Sequence, residues 1–126
     1  MDVTIFDTEV TIDDSLVEES PAEIRTQVRE YEAGERTHFD LTIHYPDSYT
    51  GRVMQAMTEI PYGEVKTYGE VAAGIDSGAR AVGSACARNP VPLVVPCHRI
   101  VRHDGIGNFA YPGLKEQLLA LEGAAV

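Results

Sequence analysis

Between Asp47 and Pro90 the sequence is cut by start and stop signals into three short helical stretches, and this punctuation constrains the fold more than any other feature. Asp47 or Ser48 can cap a helix reaching about Glu59, with Val53, Met54, Met57 and Ile60 turned inward; Pro61-Tyr62-Gly63 then makes a turn. Thr67 and Glu70 have capping-box spacing and open a short helix that stops at Gly74. Ser77 is placed to cap a third helix that runs to Arg88, because Asn89-Pro90 ends it. Two helices joined by a short Gly-containing turn form a helix-turn-helix pattern. The third helix carries Ala79, Ala81, Gly83, Ser84, Ala85 and Ala87. Small side chains let a helix approach another surface closely, and Arg80 and Arg88 are its long basic residues.

The flanking stretches supply the rest of an α+β fold. Val3 to Ile12 reads as one or two short strands. Ser20-Pro21-Ala22-Glu23 is a helix start, with Ile24, Val28 and Tyr31 on one face and Gly34 at the end. Phe39, Leu41, Ile43 and Tyr45 alternate with polar residues, which predicts a half-buried strand with His44 on its wet side and His38 just before it. After the third helix, Val91 to Val95 is an apolar, strand-like run. Ile100-Val101, the turn Arg102-His103-Asp104-Gly105 and Ile106 to Phe109 suggest a hairpin or wing. A last helix spans about Leu114 to Glu122, with Leu114, Leu118 and Leu121 on one face and Gly123 at its end. The expected organisation is a small, reduced N-terminal α/β element over residues 1–46, followed by a mainly helical winged helix-turn-helix domain over 47–126.

A length of 126 residues suits one domain with a small appendage and is enough for a core without staples. The sequence has no basic-apolar leader and no apolar run long enough to cross a bilayer, so a soluble, cytoplasmic protein is expected. The two cysteines, Cys86 and Cys97, match neither a disulfide framework nor a CxxC metal pair. Cys86 reads as a small packed hydrophobe. The net charge of −10 is unevenly placed: residues 1–50 hold 13 Asp and Glu against 3 Arg, and residues 51–126 hold 7 acids against 7 Lys and Arg. The second part is therefore neutral and compatible with a phosphate-binding surface. With 8 Arg and 2 Lys, the acidic, lysine-poor composition suggests a protein kept soluble in concentrated salt.

The chemistry concentrates in Val94 to Val101, VVPCHRIV, where a thiol, an imidazole and a guanidinium stand among aliphatic residues. A cysteine held as thiolate attacks electrophiles, and a free cysteine needs a neighbouring base to reach that form near neutrality. Side chains that adjoin in a strand point to opposite faces, so His98 can serve Cys97 only through a bend or a bridging water. The segments IPYGEVKTYGEVA, ARAVGSACARNPVPLVVPCHRIV and GNF...KEQLLALEG, agreeing in order, resemble the O6-alkylguanine-DNA alkyltransferases over about residues 50–123.

That resemblance implies direct repair of O6-methylguanine in double-stranded DNA, in which Cys97 accepts the alkyl group and keeps it, without metal, cofactor or obligatory protein partner. His98 and Glu122 match the residues that act with a water on the cysteine proton. Arg80 matches the arginine that replaces the extruded nucleotide, on a recognition helix where Ala79, Gly83, Ser84 and Arg88 also face DNA. Tyr68 matches the tyrosine that rotates the phosphate and contacts the damaged base. Asn89 matches the asparagine that braces the cysteine segment. The carbonyls of Cys97 and Ile100 and the amide of Ala110 would line the base pocket.

Departures from the family pattern are also visible. Ala110 stands where a serine is usual, one residue is missing before Lys115, Met54 replaces an aromatic, and Leu121 replaces a histidine. The principal alternative is a non-catalytic alkyltransferase-like protein that binds alkylated DNA and recruits other repair factors, but those proteins carry Trp at the cysteine position. A cysteine hydrolase built on Cys97 and His98 lacks an oxyanion motif and leaves the helix-turn-helix unexplained. Zinc is a weak option, since Cys97, His98 and His103 are not at structural zinc spacing.

Overall fold

The chain opens with a hairpin of strands β1 (Asp2–Ile5) and β2 (Thr8–Thr11), paired antiparallel from Asp2 opposite Thr11 to Ile5 opposite Thr8. Both turn residues, Phe6 and Asp7, take positive φ (47° and 61°), as a two-residue turn between twisted strands requires. The turn is held from outside, because the Phe6 amide donates to Glu32 Oε2 at 2.8 Å. This computed structural model describes residues 1–107, 109–111 and 113–124. Asn108 and Pro112 of the GNFAYPG stretch, and the last two residues of the expected second domain, lie outside the described residues.

Helix α1 (Pro21–Glu32) starts as its sequence specifies, with Ser20 Oγ accepting the Glu23 amide at 3.2 Å. The Glu23 carboxylate accepts from Gln27 Nε2 at 2.9 Å. Ile24, Val28 and Tyr31 are buried. The strand expected at Phe39 to Tyr45 is not formed. The alternation of burial is retained, but the pairing stops at a single bridge of Val17 to Ile43, where the Glu18 amide donates to the Thr42 carbonyl at 3.0 Å and the His44 amide to the Leu16 carbonyl at 2.7 Å. No strand lies alongside it, so side chains bind two of its amides: Gln27 Oε1 accepts from Asp40 at 2.9 Å and Glu19 Oε1 from Thr42 at 2.7 Å.

Three helices follow: α2 (Tyr49–Thr58), capped by Ser48; α3 (Tyr68–Gly74), with a complete Thr67–Glu70 capping box; and α4 (Ala79–Ala87). Gly78 rather than Ser77 precedes α4, and the Ser77 hydroxyl lies 2.6 Å from the Tyr49 hydroxyl instead of capping. The apolar run at Val91 to Val95 is a tight turn, not a strand; Leu93 sits at φ 75° and the Val95 amide donates to the Val91 carbonyl at 2.9 Å. Between α2 and α3 lies β3 (Lys66–Thr67), which pairs in parallel with β4 (Ile100–Val101). The wing is thus reduced to the bridge between Arg102 and Gly105. Among the described residues, Ile106 to Phe109 adds no strand.

Helix α5 (Leu114–Glu122) ends at Gly123, which has φ 70°. Its buried face is Leu114, Lys115, Leu118, Leu119 and Glu122; Leu121 is only partly covered, so two charged residues take inward positions beside the leucines. One continuous apolar cluster runs from Val3, Ile5 and Ile24 through Val53, Met57 and Val82 to Leu118. No described helix is long and apolar enough to cross a membrane.

Candidate active site

Pro96, with ψ 68°, turns the chain out of the preceding loop, and Cys97–Arg99 forms one turn of 3-10 helix. This bend removes the strand alternation that would have set Cys97 and His98 on opposite faces. Asn89 ties the approach at both ends: its Nδ2 donates to the Val95 carbonyl at 3.0 Å, and its Oδ1 accepts from the Val91 amide at 3.1 Å. Cys97 is buried but not sealed. It is 7% exposed and forms part of the wall of a cleft of about 1690 Å³, together with Tyr68, Ala79, Arg80, Gly83, Ser84, Asn89 and Ala110. A volume above the ~300–1,000 Å³ of usual small-molecule pockets suits a ligand larger than one small molecule.

Burial pushes the Cys97 thiol above its ordinary pKa, against the lowering pull of the Asn89 side chain and the Lys115 charge. The sulfur is therefore not a standing thiolate. At rest the sulfur keeps its proton, and a base must take it during reaction.

His98 is that candidate base. It is fully buried, and burial lowers its pKa more than the Glu122 hydrogen bond raises it, so the ring is neutral near neutrality. Its Nε2 lies 2.8 Å from Glu122 Oε2, and a carboxylate accepts, so Nε2 carries the hydrogen. Nδ1 is then a bare lone pair, and it has no hydrogen-bond partner among the described residues.

Glu122 is the hub behind this ring. Oε2 accepts from Tyr31 Oη at 2.6 Å, from His98 and from Arg99 Nη2 at 2.9 Å; Oε1 accepts from Arg99 Nε at 2.9 Å and from the Gly63 amide at 3.2 Å. Burial alone would raise this carboxyl, but the hydrogen bonds from His98 and Arg99 outweigh it and hold it well below the carboxylate range. Arg99 also donates to the Ile60 carbonyl at 2.7 Å and lies 5.8 Å from the centre of the Tyr62 ring. Burial pulls Lys115 down in pKa; its Nζ donates to the Ile100 carbonyl at 2.6 Å.

The residues singled out in sequence thus fall into two layers. Cys97, Asn89, Tyr68, Arg80, Ala79, Gly83, Ser84 and Ala110 share the cleft wall, while His98 and Glu122 lie behind it. Arg88 is exposed and does not line the cleft. Ile100 does not line it either, being fully buried with its carbonyl engaged by Lys115. Tyr68 is packed between glycines. A Cβ on Gly107, itself at φ 80°, would lie 3.3 Å from the Tyr68 hydroxyl, and one on Gly83 would lie 3.9 Å from its ring. Cys86 behaves as the expected packed hydrophobe, with Sγ 3.6 Å from Met57 Sδ and its pKa pushed up to about 12 by burial.

Sequence reading gave no role to Arg99, Lys115 or Tyr31. Arg99 was visible in the same tetrapeptide as the cysteine. Lys115 and Glu122 are seven residues apart, two turns of one helix, so their shared face was readable. Tyr31 was legible only as part of an apolar helix face, with nothing local to tie it to Glu122. Among the described residues, no group of three or more His, Cys, Asp or Glu side chains could hold a metal ion.

A helix-turn-helix set against a cleft that holds a cysteine, with a buried His-Glu pair behind it, defines a DNA-binding-domain protein with a reactive thiol. The family model for the 6-O-methylguanine DNA methyltransferase DNA-binding domain matches residues 48–124, and the chain belongs to that family. The methylated-DNA–protein-cysteine methyltransferase of Archaeoglobus fulgidus is 37% identical over 112 residues, covering 82% of this chain and 76% of the relative. That of Methanosarcina acetivorans is 39% identical over 122 residues, covering 91% and 78%. The Mycobacterium tuberculosis OGT solved in complex with DNA superposes with a TM-score of 0.75 at 39% identity, covering 81% of this chain and 66% of that one.

Proposed function

We propose that this chain repairs O6-methylguanine in double-stranded DNA by a single, irreversible transfer of the alkyl group to Cys97. The observation that carries this reading is the cleft that Cys97 shares with α4, backed by a neutral imidazole whose Nδ1 has no partner among the described residues. A base inside a duplex is out of reach of a sulfur at the bottom of a cleft, so the damaged nucleotide leaves the stack, with Arg80 filling its place and Tyr68 contacting the extruded base.

Water relays the thiol proton to His98 Nδ1, and Glu122 stabilises the imidazolium that results. The sulfur then attacks the alkyl carbon. The S–C bond forms as the C–O bond breaks, the electron pair goes to the guanine oxygen, and the purine takes up a proton in place of the one the thiol gave. Because the product is a thioether, the protein acts once.

Phosphate contacts from Arg80, Arg88 and helix N-termini make binding salt-dependent and largely independent of sequence. Residues 1–46 act in this reading as a scaffold for the 47–126 unit, and the site of action is cytoplasmic DNA.

The test is incubation with a duplex carrying radiolabelled O6-methylguanine. Label moves stoichiometrically onto the wild type and not onto Cys97→Ala, while Cys97→Ala still holds the damaged duplex and Arg80→Ala loses it. Damage-specific binding without label transfer to the wild type would replace this reading with that of a lesion-binding, alkyltransferase-like protein that recruits other repair factors.

A further inference from the structure

We propose that Tyr31 is a positioning residue of the alkyl-transfer site: its hydroxyl, reaching from α1 to Glu122 Oε2, fixes the carboxylate that orients His98, so that the N-terminal element is a working part of the reaction centre. The inference rests on the alkyl-transfer reading above and deepens it.

Tyr31 is 1% exposed, and its hydroxyl meets Glu122 at 2.6 Å across 91 residues of sequence. A carboxylate offers about four lone-pair sites. Glu122 accepts from Tyr31, from His98, twice from Arg99 and from the Gly63 amide, so the donors compete for its oxygens. Tyr31 and His98 compete for the same one, Oε2. Burial first and the hydrogen bond to Glu122 second raise the Tyr31 phenol, which keeps it a donor throughout the working pH range.

The groups that face His98 are Glu122 and Lys115 from α5 and Arg99 from its own turn. Of these, Glu122 favours the imidazolium and the two cations oppose it. By occupying Oε2, Tyr31 limits how strongly the carboxylate stabilises a protonated ring. It also fixes which lone pair of Oε2 is left to accept from Nε2.

Tyr31→Phe removes only the hydroxyl. The ring still packs against Phe39, with centroids 5.3 Å apart, and edge-on to Tyr62 at 6.2 Å. Two measurements are made on the full chain. The first is the ¹⁵N-detected titration of His98 without DNA, and the second is the pH profile of the single-turnover methyl-transfer rate. In Tyr31→Phe the imidazole titrates at higher pH, and the acid limb of the rate profile moves up with it. The rate on that limb falls by about three- to tenfold, and the rate on the alkaline side stays within about twofold. Tyr31→Leu, which also loses the ring, unfolds more easily, and the Phe variant restores stability without restoring the limb.

An unmoved His98 titration, with a rate lowered equally at every pH, would overturn the proposal and leave Tyr31 a packing residue. A wild type that takes up no label defeats the alkyl-transfer reading instead, and the His98 titration still decides whether Tyr31 governs the ring.

Discussion

In residues 1–46 side-chain oxygens reach out to hold backbone. Glu32 takes the Phe6 amide, Glu19 the Thr42 amide, Gln27 the Asp40 amide and Asp13 the Ser15 amide. From residue 47 onward, Ser48 and Thr67 cap their helices locally, and one buried carboxylate, Glu122, gathers five donor contacts. The acids of the first region are spread over short anchors, Asp13 exposed and Glu19 and Glu32 half-buried. The chemically decisive acid of the second is single, buried and shared. A net charge of −10 therefore says little about the site, where a buried carboxylate, guanidinium and ammonium lie behind a cleft wall that carries Asp13, Asp14, Arg80 and Arg102.

The largest effect that separates the two regions should come from Glu122→Ala. It leaves the Arg99 guanidinium buried without its counter-charge and the Tyr31 hydroxyl without its acceptor, a change that costs ~3–5 kcal/mol for a buried pair. Urea unfolding followed by circular dichroism measures it. A loss below ~1 kcal/mol would show that the hub is dispensable to the fold and would break the contrast.

Acid should expose the same asymmetry. The folded-state pKa of Glu122 lies below its ordinary value of 4.5, so its contribution is full above that value and is lost as pH falls through the depressed one. His98 is also depressed, from 6.5. The unfolded chain therefore takes up this proton first, and stability declines as pH drops below about 6.5. Wild-type stability should fall from that point and steepen below pH 4.5, and Glu122→Gln should flatten the lower part of the curve. Thermal melts across pH 3–8 test this; a flat wild-type curve between pH 6.5 and 4 would contradict the buried neutral imidazole.

Much of this was legible in the sequence where signals are local. Thr67 with Glu70, Ser20 with its following Pro21, and Gly123 after α5 each encode a helix end within four residues, and each is found. Failures occur where a distant partner decides. Ser77 has the chemistry of a cap, but its hydroxyl is engaged by Tyr49, 28 positions away. The alternation from Phe39 to Tyr45 specifies which side chains turn inward but cannot supply the absent neighbouring strand. For the site, the family motifs located Cys97, Asn89 and Glu122. The convergence of Tyr31, Arg99 and Gly63 on Glu122 required three separate loops and helices to be placed first. The protonation of the sulfur is illegible for a related reason, because burial, which raises its pKa, is a property of the folded surroundings.

The mildest test compares the two regions through equivalent helix caps. Ser20 Oγ accepts the Glu23 amide at 3.2 Å at the start of α1, and Thr67 Oγ1 accepts the Glu70 amide at 3.1 Å at the start of α3. Replacing either by Ala removes one cap and costs ~1 kcal/mol. The consequences for DNA should differ, because Thr67 directly precedes Tyr68, whose ring forms part of the cleft wall, whereas the residues beside Ser20 do not line it. Thr67→Ala frays the turn that aims Tyr68 and should slow methyl transfer by about threefold to tenfold, roughly the ~1 kcal/mol lost locally. Ser20→Ala should leave the rate unchanged at temperatures well below its melting point. Equal slowing by both would mean that stability anywhere in the chain feeds directly into the reaction, and that the effect of a cap does not depend on how near it stands to the cleft.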